Sequence, residues 1–143
     1  MNQDNLDKFG FLLGDWNMES RIPKTKFSDS ETDTGVGSFK KILNDKYVLF
    51  EYSAKSGGEA KGIFAWDDKL ELFRYWWFEN SGNFSQATCN FVNENILAMN
   101  WLDSLFVQTF VKETSNRVVL KMQHPDDNGG YELVLEVILT KRK

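Results

Sequence analysis

The chain of 143 residues holds one cysteine, one histidine and only two prolines. A lone thiol, Cys89, excludes an intrachain disulfide and a zinc site built from cysteines. A lone imidazole, His124, excludes any triad of protein histidines. Unbroken apolar runs stay far below the roughly 20 residues that a membrane-spanning helix needs. The opening stretch, Met1-Asn-Gln-Asp-Asn-Leu-Asp-Lys, lacks the basic segment and apolar run of a secretory signal. A cytoplasmic protein without membrane contact is the expectation. Basic residues are outnumbered 17 to 21 by acidic ones, and a net charge of −4 argues against nucleic acid as a partner.

Aromatic residues, by contrast, are plentiful: 12 Phe, 5 Trp and 4 Tyr make up 15% of the chain. With 41% hydrophobic residues, there is too much apolar material for disorder and enough for one domain with a real core. What the rings line is the central question.

The first thirteen residues read as a short helix, capped by Asp4 or Asn5, with Leu6, Phe9 and Leu13 at helical spacing. Gly10 weakens it, so a plug of one or two turns is expected. Beyond Gly14 the hydrophobic period changes to two. Strands are predicted over Asp15–Ile22, Thr32–Ile42, Tyr47–Ala54, Glu59–Trp66, Leu70–Glu79, Phe84–Val92, Ile96–Trp101, Leu105–Glu113, Arg117–Gln123 and Tyr131–Thr140. Turn signals such as Ser56-Gly57-Gly58 and Asn80-Ser81-Gly82 separate them at short, even intervals. With no helices between strands, parallel βαβ folds are excluded. The expectation is an all-β antiparallel meander in a single domain, residues 1–143. A sheet that wide curls, and closure into a barrel of 8–10 strands removes its edges, with a sandwich of two meanders as the alternative.

Alternation places Tyr131, Leu133, Leu135, Val137 and Leu139 inside, and Val118, Leu120, Met122 and His124 with them. Leu70–Glu79 carries rings on both faces. The set Leu70, Leu72, Arg74, Trp76 and Phe78 is assigned to the interior, which makes Arg74 a buried cation in need of a partner. Alternatively, Arg74 snorkels outward or pairs with an interior Glu51. Gln86, Thr88 and Asn90 share one face of the next strand. Turned inward they would orient a ligand; turned outward they are ordinary solvated strand.

Gly14-Asp15-Trp16 stands between the short helix and the first strand, where glycine permits a tight exit and the indole can close a barrel end. Combined with Gly62-Ile-Phe-Ala-Trp-Asp-Asp and Phe73-Arg-Tyr-Trp-Trp-Phe-Glu-Asn-Ser-Gly, this layout resembles the calycin superfamily, and more closely the lipocalin-like bacterial proteins related to nitrobindin. The resemblance implies a barrel with a small-molecule cavity, Trp16 at its closed end and Arg142 packed over that indole. Nitrobindin holds heme through a histidine near its C-terminus. Tyr131–Lys143 has none, so no cofactor is expected.

Motifs for nucleophilic, phosphate-binding or metalloprotease chemistry are absent from the sequence. The acidic run Asp29, Glu31, Asp33 lacks the glycine and glutamate of a calcium loop and reads as a solvated turn. The expected function is binding of a small, largely apolar ligand by Trp16, Arg74, Trp76, Phe78, Gln86, Asn90, Trp101 and His124. An isomerase or cyclase with His124 as acid–base is the enzyme alternative. A third reading is a homodimer, with one ring-rich face of Leu70–Glu79 buried against a second copy.

Overall fold

The computed structural model describes residues 5–142. Its ten strands are β1 (Gly14–Ile22), β2 (Glu31–Ile42), β3 (Tyr47–Ala54), β4 (Glu59–Asp67), β5 (Leu72–Glu79), β6 (Phe84–Asn93), β7 (Ile96–Trp101), β8 (Val107–Thr114), β9 (Arg117–Pro125) and β10 (Tyr131–Lys141). Each pairs antiparallel with its neighbours in sequence, and β1 pairs with β10 to close the barrel. The all-β, ten-stranded meander barrel is thus the fold that the period-two pattern predicts. No helix among the described residues is long and apolar enough to cross a membrane.

The N-terminal helix is shorter than its apolar spacing suggests, a 3₁₀ segment over Asp7–Phe11. Leu6 occupies its N-cap without a side-chain capping bond, and Asp4, one of the two expected caps, lies outside the described residues. Packing holds this segment instead. Leu6, Phe9 and Leu12 are fully buried, and the Phe9 ring lies 4.7 Å from Phe64 and 5.0 Å from both Phe73 and Phe91. Burying each such side chain contributes about 1.5–3 kcal/mol, more than the weak propensity of a glycine-bearing turn costs. The Trp16 indole N–H donates to the Leu12 carbonyl at 2.8 Å, tying plug to barrel.

Turn chemistry sets the start of β5. Asp67 Oδ1 accepts from the Lys69 and Leu70 amides, an Asx turn that keeps Leu70 and Glu71 out of the ladder. The strand therefore begins at Leu72, two residues later than its apolar pattern predicts.

The same strand carries the main correction to the sequence reading. Phe73, Tyr75 and Trp77 face inward, whereas Leu72, Arg74, Trp76 and Phe78 face outward. The reason is volume matching across the ladder. On β6, Cys89, Ala87 and Ser85 stand opposite Phe73, Tyr75 and Trp77, and on β4 Gly62 stands opposite Trp77. Small residues beside large rings let the inner face close at native density. Arg74 needs no buried partner, because outside the barrel its Nε donates to Asp67 Oδ2 at 2.8 Å. That bond is the first cause holding the Asp67 carboxyl below its ordinary range, with the Leu70 amide second.

Candidate ligand-binding cavity

The barrel interior is filled at one end and hollow at the other. Trp16, Phe39, Phe64, Phe73 and Phe110 are fully buried or nearly so and, with the plug, seal the closed end. Above them lies a cavity of about 540 Å³ that opens past the far strand ends. Met18, Phe50, Tyr75, Trp77, Trp101, Leu120, Met122, Leu135 and Val137 supply its apolar wall.

Rings along one side form a continuous surface. Phe50 stacks on Trp77 at 5.9 Å, Trp77 lies 6.1 Å from Tyr75, and Tyr75 meets Trp101 edge-on at 5.8 Å. Tyr75 fits there because Gly62 beneath it has no side chain; a Cβ would lie 1.9 Å from the phenolic oxygen. Burial pushes the Tyr75 hydroxyl well above its usual pKa, with Cys89 adding to the shift, so it enters the chamber as a neutral donor and acceptor.

Polar atoms inside are few. Gln108, only 6% exposed, accepts from the Trp101 indole at 3.3 Å and donates to Met99 sulfur at 3.7 Å, a weak pair of bonds for a buried amide. The Trp77 indole donates to Glu79 Oε2 at 2.9 Å. Both indole N–H groups are thereby engaged within the protein. Towards the opening, Ser20, Ser85 and Ser104 join the carboxylates Glu31, Asp33, Glu79 and Asp103. Asp33 is held below its ordinary pKa chiefly by the Ser56 hydroxyl.

The residues singled out from sequence separate into four groups. Trp101 lines the cavity. Trp16 lies below it, fully buried at the closed end. Arg74, Trp76, Phe78, Gln86 and Asn90 point away from the interior, so the inward assignment of their faces is corrected. Asn90 bonds the Glu71 carbonyl across the outside, and Phe78 is 51% exposed. His124 lies near the β1–β2 connection, its ring 4.8 Å from Phe27 and 4.9 Å from Phe106, with Nδ1 2.9 Å from the Pro125 carbonyl oxygen. It is not among the residues that line the cavity, although Phe106 beside it is.

Sequence reasoning missed Tyr75, Trp77, Phe50, Gln108 and the acidic mouth. One signal was available: Gly62 and the small residues Ser85, Ala87 and Cys89 flank the true inner face of β5. Arg142 is likewise replaced in its expected place. The neighbouring Lys141 holds its ammonium 4.6 Å from the Trp16 ring centroid.

No protein-family model matches the chain, and no curated protein matches it by sequence. Solved structures do. The crystal structure of Rv2717c from M. tuberculosis aligns with a TM-score of 0.67 at 9% identity, covering 97% of this chain and 98% of that one. A redesigned β-barrel, mFAP0, solved bound to DFHBI, aligns at 0.48 with 11% identity over 92% of this chain and 99% of that chain. A de novo fluorescence-activating β-barrel aligns at 0.45 with 10% identity over 95% of this chain and 98% of that chain. At such identities the likeness is one of fold alone, and it rests on the first of these structures.

Proposed function

We propose that the protein binds a small, largely apolar molecule inside its barrel, in the manner of calycin barrels related to nitrobindin but without heme. The observation that carries this reading is the cavity of about 540 Å³, walled by rings and aliphatic side chains. That volume falls within the range of about 300–1,000 Å³ of small-molecule sites. A barrel meant only as a scaffold gains stability by filling such a space. Binding rather than catalysis is favoured because His124, the acid–base of the enzyme alternative, stands outside the lining. The ligand's body would contact Phe50, Trp77 and Trp101, and one polar atom would meet Tyr75 or Gln108.

Titration with Nile red, a neutral apolar fluorophore, tests the reading. Its emission should rise and shift to the blue on binding, and Leu135→Trp, which fills the chamber, should abolish the change while circular dichroism stays that of a β-barrel. Absence of any change with the unaltered protein would refute it.

A second reading concerns the outer face. Phe84 is 71% exposed and its ring lies 6.5 Å from that of Phe78. Self-association through these rings and Trp76 is the homodimer alternative, for which light scattering during size exclusion gives the mass directly.

A further inference from the structure

Building on the cavity-binding reading, we propose that the ligand is an organic cation, with an aromatic or alkyl body in the ring-lined chamber and an ammonium-type nitrogen at its mouth.

Charge distribution is the first ground. Glu31, Asp33, Glu79 and Asp103 line the opening, and among the described residues no lysine or arginine lines the cavity. None of these carboxylates forms an ion pair among the described residues, although Lys55 lies close enough to Asp33 to influence it. Lys24 and Lys26 belong to the β1–β2 connection, both exposed, and Lys26 lies over the Phe27 ring at 5.4 Å. A cleft of one charge sign with low-dielectric walls concentrates its field on whatever enters. An anionic headgroup would have to pass the carboxylates and end with no cation beside it.

The chamber itself supplies the second ground. Tyr75 is 3% exposed and lines the cavity, yet its hydroxyl forms no hydrogen bond to any described residue. Among the described residues no fully sealed side-chain polar atom lacks a partner, so this hydroxyl is open to the chamber and free to bond an occupant. The rings of Tyr75, Trp77 and Trp101 line the same chamber. Indole and phenol faces attract cations, most strongly where water is displaced. Carboxylates outside and π-faces inside therefore select for the same sign of charge.

Three probes sharing one body decide the matter by calorimetry: 4-phenylbutylammonium, 4-phenylbutan-1-ol and 4-phenylbutanoate. The ammonium is expected to bind about tenfold more tightly than the alcohol and to outcompete the carboxylate by more. Salt near 0.5 M should narrow both gaps. The double variant Glu31→Gln, Asp103→Asn, checked by circular dichroism for an intact barrel, should narrow them too. Equal or tighter binding of the alcohol or carboxylate, or Nile red binding with no ammonium binding, overturns the cation assignment and leaves the cavity reading standing. An unchanged preference in the double variant overturns the role given to the mouth. Failure of all three probes and of Nile red overturns both readings.

Discussion

The ammonium of Lys141, near the end of β10, sits 4.6 Å from the centroid of the Trp16 ring on β1 and donates to the Leu13 carbonyl. Gly14 leaves room for it: its φ of +123° is a glycine conformation, and a Cβ there would lie 2.5 Å from the Lys141 nitrogen. Lys141→Met is therefore expected to cost about 1–2 kcal/mol in urea unfolding, from the lost cation–π contact and hydrogen bond. Arg142→Ala, at an exposed position, should stay within about 0.5 kcal/mol of the unaltered protein. Similar losses from both would point to terminal charge rather than to packing over the indole.

Gly62 and Tyr75 are coupled by space. A methyl at Gly62 would meet the Tyr75 oxygen at 1.9 Å and its ring carbons at 2.3 and 2.5 Å. Gly62→Ala should destabilise by about 1–3 kcal/mol, as overpacking does, and weaken Nile red binding by displacing the ring into the chamber. In a double-mutant cycle, Tyr75→Val should recover part of the loss from Gly62→Ala. Strict additivity would mean that the backbone, not the ring, resists the methyl.

The two faces of β5 predict opposite outcomes. Trp77→Ala on the inner face, and likewise Trp101→Ala on β7, remove chamber wall and should weaken Nile red binding by about tenfold or more. Arg74→Ala and Trp76→Ala alter the outer surface and should leave the affinity unchanged. The comparison is made on variants whose circular dichroism matches that of the unaltered barrel.

Acid sensitivity follows from Asp67. The Arg74 guanidinium, then the Leu70 amide, lower its pKa in the folded state. A lowered pKa stabilises the fold above the ordinary carboxylate value of about 4 and loses that contribution as pH falls through the folded value. Asp67→Asn should therefore be less stable than the unaltered protein at pH 7, with the difference disappearing in strong acid. The pair is partly solvated, so the effect is small. A difference that persisted undiminished at low pH would assign it to the turn hydrogen bonds alone.

Cys89 is inert in the folded barrel. It is buried on the inner face of β6, and burial pushes its thiol pKa upward. A thiol reagent such as DTNB at pH 8 should label it only as the protein unfolds, with a rate that tracks urea unfolding. Rapid labelling under native conditions would reveal local opening of β6.

Strand number, meander order and the plug with Trp16 were legible because they rest on local rules. Period-two alternation, turn residues and a glycine before an indole act within a few residues of one another. For β9 and much of β10, one face is clearly apolar, and the interior could be read directly. On β5 both faces carry rings, so alternation alone says nothing about which one turns inward. That choice was made by neighbours far along the chain: Gly62 yields space to Tyr75, Ser85, Ala87 and Cys89 yield it to all three inner rings, and Asp67 draws Arg74 outside. Likewise, Glu31, Asp33, Glu79 and Asp103 come from three separate stretches, and only barrel closure gathers them at one mouth. The sequence by itself determined an antiparallel meander rich in rings, with a barrel of 8–10 strands as its expected closure. Tertiary packing alone decided which rings face the chamber and what charge guards it, because volume and charge are balanced across strands rather than along them.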